Sequence, residues 1–177
     1  MFKYALFSYF PRRYQHRASF EQQELCRMIL GFKDGRNIYT CWAVREVSKA
    51  LALANLQDVV VVCIPASTHY AHVRRWKRFS RLLCKHAGAI DGFDRVQVCC
   101  SRKRAHVTGE YDLANDIRHY VHVDIEYFQG KKVLVVDDIY TTGQSSSAFI
   151  GAMEAAGASV VGAVFLAKTR QFRCQQA

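Results

Sequence analysis

The chain has 177 residues, half of them apolar, and 25 Lys and Arg against 15 Asp and Glu, which gives a formal net charge of +10. This length suits one globular domain with a substantial core, and the apolar fraction is ordinary for such a domain. No apolar run approaches the ~20 residues that a membrane-spanning helix needs, so we expect no membrane contact. The positive charge predicts a polyanionic substrate or partner, such as a pyrophosphate compound or nucleic acid.

The cysteine pattern argues against a disulfide scaffold, because the total is odd, the residues are scattered and no CxxC pair is present. The seven are Cys26, Cys41, Cys63, Cys84, Cys99, Cys100 and Cys174. No signal peptide is recognisable. We therefore expect reduced thiols in a cytoplasmic protein rather than disulfides or a zinc site.

The first part of the chain combines a short apolar segment with a basic one. Met1–Tyr9 has the composition of a strand or of a segment that packs against a partner. Phe10–Arg17 is basic and aromatic, and Pro11 disfavours a helix there. Two interpretations stay open for this arm: a solvated surface segment, or a nucleic-acid contact through phosphate binding and base stacking.

Two amphipathic helices and a strand are predicted next. Ser19 is a suitable N-cap for a helix through Leu30, and Tyr39–Asn55 repeats the apolar spacing of a helix with one buried face. Asp58–Ile64 follows as a strand buried on both faces, because its apolar run is uninterrupted. It ends in small and hydroxyl residues at Pro65–Thr68, which form either a ligand-binding loop at a sheet edge or a plain turn.

A strongly basic helix is predicted over Ala71–Gly88. Five of its cations are expected to face solvent: Arg74, Arg75, Lys77, Arg78 and Arg81. Whether they are merely solvated or contribute to ligand binding stays open. A third strand over Phe93–Cys100, a basic loop and a helix near Tyr111–Tyr120 follow, and Ala158–Thr169 forms the last strand.

The alternation of strands with helices predicts the fold class. Strands are expected near residues 58–64, 94–100, 133–137 and 159–167, with helices between them. This order predicts an α/β fold with a mainly parallel central sheet flanked by helices.

The most informative stretch is KKVLVVDDIYTTGQSSS, residues 131–147. Val133–Val136 predicts a fully buried strand, and Asp137 and Asp138 are expected where that strand emerges. A loop rich in hydroxyls, Ile139–Ser145, precedes a segment with the composition of a helix. A strand, a turn and a helix N-terminus form an anion site, because free backbone N–H groups and the helix dipole both favour negative charge.

The residue types in this stretch indicate a phosphorylated ribose. Gly143 can adopt the positive φ with which a backbone wraps a phosphate, and Thr141, Thr142 and Ser145 add hydroxyl donors. The carboxylate pair suits two vicinal hydroxyls or a hard cation. Two other interpretations are weaker: a phosphoacceptor receiver domain, in which the acidic pair opens the chain, and an ordinary strand–loop–helix with solvated acids. Neither accounts for hydroxyl, glycine and hydroxyl together.

Val133–Ser145 resembles the thirteen-residue phosphoribosyl-pyrophosphate (PRPP) motif of type I phosphoribosyltransferases, which has four apolar residues, two acids and a Thr-Thr-Gly loop closing on Ser or Thr. The resemblance implies that Asp137 and Asp138 are the catalytic acids and hold the ribose 2′- and 3′-hydroxyls. It implies that the 5′-phosphate is bound by Thr141, Thr142, Gly143, Gln144 and Ser145.

The same resemblance implies a pyrophosphate subsite, built from the loop after the earlier buried strand and from a mobile loop after the third strand. Its residues would be Ala66, Ser67, Thr68, Arg102, Lys103 and Arg104. We interpret His106, in the same basic loop, as a surface residue.

A second resemblance is to the ComF-like branch, the competence-associated phosphoribosyltransferase-like proteins. Arg78-Phe79-Ser80 lies roughly where that branch has Gly-Phe-Asn, and Arg118 fits its last basic position, whereas Gly109-Glu110 interrupts the pattern. The resemblance covers about residues 28–169 of a single domain spanning 1–177, with residues 1–27 as a hood or partner-contact segment.

These resemblances imply an enzyme that transfers phosphoribose from PRPP to a nucleobase or another amine, with Mg²⁺ and release of pyrophosphate. Thr141 replaces the acid of 6-oxopurine-specific relatives, which argues against hypoxanthine or guanine as the acceptor. A hood built from the chain termini and a homodimer are further implications. Two alternatives stay open: a ComF-like protein that binds single-stranded DNA in DNA uptake or recombination, and a non-catalytic regulator that senses PRPP.

Overall fold

The computed structural model describes residues 1–100 and 117–171, which form seven strands and five α-helices. The strands are β1 (Phe2–Tyr9), β2 (Val59–Cys63), β3 (Ile90–Asp91), β4 (Val96–Val98), β5 (Val121–Val123), β6 (Lys132–Tyr140) and β7 (Ser159–Thr169). Five of them form a parallel sheet in the order β1-β7-β6-β2-β3, and β4 and β5 form a separate antiparallel pair. The predicted α/β fold with a mainly parallel central sheet is confirmed.

The helices begin and end at residues that local chemistry selects. They are α1 (Phe20–Lys33), α2 (Asn37–Ala50), α3 (His69–Ala87), α4 (Ile125–Phe128) and α5 (Gln144–Ala155). Ser19 and Gln22 form a capping box at the start of α1, each side chain accepting a hydrogen bond from the other's N–H. The Thr68 hydroxyl accepts a hydrogen bond from the N–H of Ala71 at the start of α3, and Gly88 ends that helix with a φ of 67°.

Both faces of the central sheet are covered, which explains the uninterrupted apolar runs of its inner strands. Leu134 and Val136 pack on one face with α1, α2 and α3. Val133 and Val135 pack on the opposite face with Phe149 of α5. Successive residues of a strand point to opposite faces, so every position of such a strand is apolar. The result is a layer of helices on each side of the sheet.

The two inner strands end at different heights. β2 pairs with β6 as far as Cys63 and Val136, and the N–H of Ile64 still bonds the carbonyl of Val136 at 2.9 Å. β6 continues along β7 as far as Tyr140. A crevice therefore opens beside residues 137–140, at the carboxyl end of the sheet where open parallel sheets bind their ligands.

The third strand is shorter than predicted and lies outside the central sheet. Only Val96–Val98 of Phe93–Cys100 is a strand, and it pairs with β5 outside the central sheet. Val96 and Val98 are buried while Gln97 is exposed, the alternation of a strand with one solvated face. In the central sheet, the neighbour of β2 on the side away from β6 is the two-residue β3. Of the helix expected near residues 111–120, the described part contains a 3₁₀ turn at Ile117–His119.

The N-terminal segment lies in the sheet. Of the two alternatives for Met1–Tyr9, the structure has the strand, which pairs in parallel with β7. Arg12–Arg17 forms a short 3₁₀ helix that was not expected beside Pro11, although a proline is compatible with the position just before a helix. The other half of the expected hood, residues 172–177, lies outside the described residues.

The structure bears on two expectations from composition, those for the cysteines and for membrane-spanning helices. The six cysteines in the described ranges are free thiols, and Cys174 lies outside those ranges. None of the described helices combines the length and the apolar character that crossing a membrane requires.

Candidate functional site

A cavity of about 300 Å³ occupies the crevice at the carboxyl ends of β2 and β6. The loop after β2, the end of β6 and the first turn of α5 border it. Two cations from the helices on one face of the sheet, Lys33 and Arg75, complete its wall. The cavity therefore combines carboxylates, hydroxyls, backbone N–H groups and cations at one edge of the sheet.

The carboxylate pair lies within β6 rather than beyond its end, because β7 extends the pairing to Tyr140. Asp138 is 5% exposed, and its Oδ1 accepts a hydrogen bond from the N–H of Ile139 at 2.6 Å. Asp137 is half-buried, and its Oδ1 accepts a hydrogen bond from the N–H of Asp138 at 2.8 Å. Burial, followed by the negative charge of Asp138, raises the pKa of Asp137 well above its usual range.

The loop after β6 leads directly into α5. Gly143 stands at the N-cap with a φ of 84°, a conformation that strongly favours glycine. The Ser146 hydroxyl donates a hydrogen bond to the carbonyl of Gly143 at 2.9 Å, which fixes the first turn. The N–H groups of that turn have no partner within the helix, and the positive end of the helix dipole adds to their attraction for an anion. This arrangement is suited to one phosphate group.

The predicted phosphate-binding residues divide into two groups. Thr141, Gly143 and Ser145 line the cavity. Thr142 and Gln144 lie between them in sequence but outside the cavity wall, and the Thr142 hydroxyl accepts a long hydrogen bond, 3.5 Å, from the N–H of Gln144. Tyr140 and Ser146 also line the cavity, although the sequence did not single them out.

Of the three residues predicted in the loop after β2, two line the cavity and one does not. Ala66 and Ser67 line the cavity, and Ser67 is exposed there. The hydroxyl of Thr68 is instead occupied as the N-cap of α3. The predicted Arg102, Lys103 and Arg104 lie outside the described residues.

One prediction for α3 is wrong, because Arg75 does not face solvent. Its side chain is 12% exposed, and its Nη1 lies 2.7 Å from Oδ2 of Asp138. Its Nε donates a hydrogen bond to the carbonyl of Lys33 at 2.9 Å. Burial of the guanidinium is possible because both the carboxylate and the carbonyl compensate its charge.

Lys33 is a second cation that the sequence did not single out. It lies in the last turn of α1, its side chain is 44% exposed, and its Nζ lies 3.9 Å from Oδ2 of Asp138. A signal for both residues existed in the sequence. Each cation flanks a buried aromatic residue of its own helix, Phe32 and Trp76, and therefore lies at the border of the apolar face.

The match to a family model covers the acid pair and the phosphate loop. Residues 90–173 match the phosphoribosyl transferase domain. The match supports a relationship to type I phosphoribosyltransferases and thus to transferase enzymes, and the α/β fold with its parallel sheet is consistent with it. Lys33, Arg75 and the loop after β2 precede the matched residues, and the ComF-like branch is not distinguished by the match. The chain has no significant match among curated proteins.

Proposed function

We propose that the protein binds PRPP with Mg²⁺ and transfers its phosphoribosyl group to an acceptor, releasing pyrophosphate. The observation that carries the proposal is the cavity in which the half-buried Asp137 lies beside the Gly143 turn at the start of α5. A carboxylate suits the ribose hydroxyls, and a helix N-terminus suits the 5′-phosphate. The family match to residues 90–173 adds independent support.

The ligand would lie across the carboxyl edge of the sheet. Its 5′-phosphate would bind the turn of Thr141, Thr142, Gly143, Gln144 and Ser145, of which three line the cavity. Its diol would meet the acid pair at Asp137 and Asp138. The pyrophosphate would extend toward Ala66, Ser67 and the cation Lys33, with Thr68 supporting that loop through its N-cap. Arg102, Lys103 and Arg104 are proposed for the same subsite.

The donor set fits a magnesium ion carried by the substrate. Among the described residues, no three His, Cys, Asp or Glu side chains are grouped so that they could enclose a metal ion. Asp137, however, has an oxygen without a hydrogen-bond partner in the described ranges. Mg²⁺ typically keeps one or two carboxylates and substrate phosphate oxygens as ligands. When bound, it supplies positive charge that stabilises the departing pyrophosphate.

The reaction forms one bond and breaks another at C1 of the ribose. The acceptor nucleophile bonds to C1, the C1–O bond breaks, and the electron pair leaves with pyrophosphate. The residues of this chain would fix the sugar at its diol and its 5′-phosphate, which leaves C1 oriented toward the acceptor. Cations beside the pyrophosphate would stabilise the charge that develops on it.

Turnover tests the proposal directly. The protein is incubated with PRPP, Mg²⁺ and a panel of nucleobases and simple amines, and released pyrophosphate is measured. We expect acceptor-dependent release with at least one panel member, and Asp137→Asn should abolish it while the protein stays folded. Release that is equal with and without acceptor, or equal in the variant, would contradict transfer at this site.

A second candidate function, binding of single-stranded nucleic acid, is favoured by the exposed face of α3. Five exposed cations spaced at helical intervals form this face: Arg74, Lys77, Arg78, Arg81 and Lys85. None of them has an ion-pair partner within residues 1–100 and 117–171. They span roughly 16 Å along the helix axis. An unneutralised row of this kind attracts a phosphate backbone.

Charge reversal distinguishes this candidate from a solvated helix face. The double variant Lys77→Glu, Arg81→Glu should weaken binding of a single-stranded oligonucleotide, and the slope of log affinity against log salt should fall by about 0.7 per lost phosphate contact. The matched control, Lys131→Glu with Lys132→Glu at the opposite end of β6, makes the same change in net charge. Equal losses in both variants would mean that net charge alone, and not this face, binds DNA. Binding through α3 should survive Asp137→Asn.

A further inference from the structure

The two neighbouring carboxylates of β6 have different surroundings. Oδ1 of Asp138 accepts a hydrogen bond from the N–H of Ile139. Its Oδ2 is ion-paired with the guanidinium of Arg75 at 2.7 Å but accepts no hydrogen bond from the described residues. Lys33 adds a second cation at 3.9 Å from the same Oδ2. Both acids line the cavity, but Asp137 is the more exposed of the two and has no ion-pair partner among the described residues. One of its oxygens, Oδ1, accepts a hydrogen bond from the N–H of Asp138.

Arg75 joins three elements of the fold at this point. It belongs to α3, bonds the carbonyl of Lys33 at the end of α1, and contacts Asp138 in β6. A buried ion pair is held strongly in one geometry, because removal of either partner leaves an uncompensated buried charge. If Asp138 turned toward a ligand, it would leave the guanidinium of Arg75, whose side chain is only 12% exposed, without its charge partner.

We propose that Arg75 is a positioning residue that commits Asp138 to a structural role, and that Asp137 alone contacts the ribose hydroxyls. This assignment rests on the proposed function, since it takes PRPP as the ligand, and it narrows the expectation that both acids hold the diol. Arg75 serves the ligand indirectly. It holds β6 against α1 and α3 and neutralises Asp138, so that its positive charge partly offsets the effect of burial and of Asp138 on Asp137.

A double-mutant cycle tests the assignment. The affinity for PRPP with Mg²⁺ is measured for the wild type, Arg75→Gln, Asp138→Asn and the combination, at a temperature at which all four are folded. Each single change should weaken binding about tenfold, because it leaves one buried charge unpaired. The combination removes both charges and should bind more tightly than either single variant. Arg75→Lys should recover part of the loss.

A second ligand separates positioning from general damage. Inorganic phosphate is expected to bind at the turn of Gly143, which Arg75 does not contact. Its affinity should therefore be the same in all four proteins, whereas that of ribose 5-phosphate should follow PRPP. Losses for phosphate and ribose 5-phosphate alike would show that Arg75 merely maintains the fold, and would overturn the assignment.

The outcomes also separate this assignment from the proposed function. One outcome is a loss of PRPP affinity in the combined variant that equals the product of the two single losses. In that case Asp138 itself contacts the ligand and the assignment fails, while PRPP binding stands. If the wild type binds neither PRPP nor ribose 5-phosphate, the proposed function fails and the assignment fails with it.

Discussion

Gly143 and Tyr140 are packed so closely that no side chain fits between them. A Cβ on Gly143 would overlap the phenol oxygen of Tyr140 and lie 2.8 Å from its Cζ, and the φ of 84° is itself unfavourable for other residues. Tyr140 cannot easily retreat, since its ring packs edge-on against Phe165 with centroids 4.9 Å apart. The start of α5 therefore requires glycine at this position.

We predict that Gly143→Ala distorts the turn and weakens the binding of ribose 5-phosphate. Positive φ alone costs an alanine roughly 1–2 kcal/mol, and the overlap with Tyr140 adds to it. Thermal unfolding and calorimetric titration check the two effects. Gly151→Ala is the matched control: it lies exposed in the same helix, and a Cβ added there would have no neighbour within 4 Å. It should stabilise the protein by about 0.5–1 kcal/mol and leave binding unchanged. Equal binding by both variants would contradict a phosphate site at this turn.

Lys33 should contribute to the pyrophosphate end of the ligand. Because Arg75 already neutralises Asp138 at 2.7 Å, the charge of the more exposed Lys33 is available to a bound anion. Lys33 belongs to the helices on one face of the sheet, whereas α5 and its phosphate turn pack on the other. A single anion cannot readily contact both Lys33 and the phosphate turn of α5, but a ligand with an anionic group at each end can.

We therefore predict that Lys33→Gln lowers the affinity for PRPP and for inorganic pyrophosphate about tenfold, the effect of one charge-assisted hydrogen bond, and leaves ribose 5-phosphate unaffected. Lys132→Gln, at the other end of β6, should change none of the three affinities. Titration of each ligand into the two variants provides the measurement. An equal loss for ribose 5-phosphate would place Lys33 beside the sugar instead.

His72 gives the fold an acid-sensitive position away from the cavity. The residue is 2% exposed, and its ring stacks on Phe93 with centroids 5.1 Å apart. Neither ring nitrogen has a hydrogen-bond partner in the described ranges. Burial, helped by the positive charges of Arg75 and His69, lowers the pKa of His72 to about 4. The unfolded chain therefore binds a proton that the native protein excludes between pH 6.5 and about 4.

This contribution to the free energy of unfolding is fully present above pH 6.5 and is lost as the pH falls toward 4. The total decrease in the free energy of unfolding is roughly 3 kcal/mol. We predict that His72→Phe removes this part of the pH dependence of the unfolding free energy. It should also stabilise the protein near pH 7, because it replaces buried polar atoms that have no partner in the described ranges. The exposed His86→Phe on the same helix is the control and should keep the wild-type dependence. Parallel pH profiles for wild type and His72→Phe would refute the role of His72.

The sequence predicted what depends on local pattern. The apolar runs at β2 and β6 are buried on both faces as expected, and the acid pair and the Gly143 turn lie together at the edge of the sheet. These features follow from strand periodicity and from the conformational freedom of glycine, both of which are legible over a few residues.

Features that depend on distant contacts were missed. Arg75 was grouped with its solvated neighbours on α3, since its position beside Trp76 places it only at the border of the apolar face. Only the approach of Asp138, far along the chain, determines that it turns inward. The short β3 was missed for a related reason. Two residues carry no periodicity, and their place in the sheet is fixed only by pairing with Val60 and Val61.

Calorimetric titration of PRPP with Mg²⁺ into the wild type and into Asp137→Asn tests the proposed site most directly. We predict micromolar affinity for the wild type, about −8 kcal/mol, and no measurable binding by the variant. The variant should unfold at the same temperature or higher, because the raised pKa of Asp137 means that its charge destabilises the unliganded fold. Failure of the wild type to bind, or equal binding by both proteins, would contradict a PRPP site at this cavity.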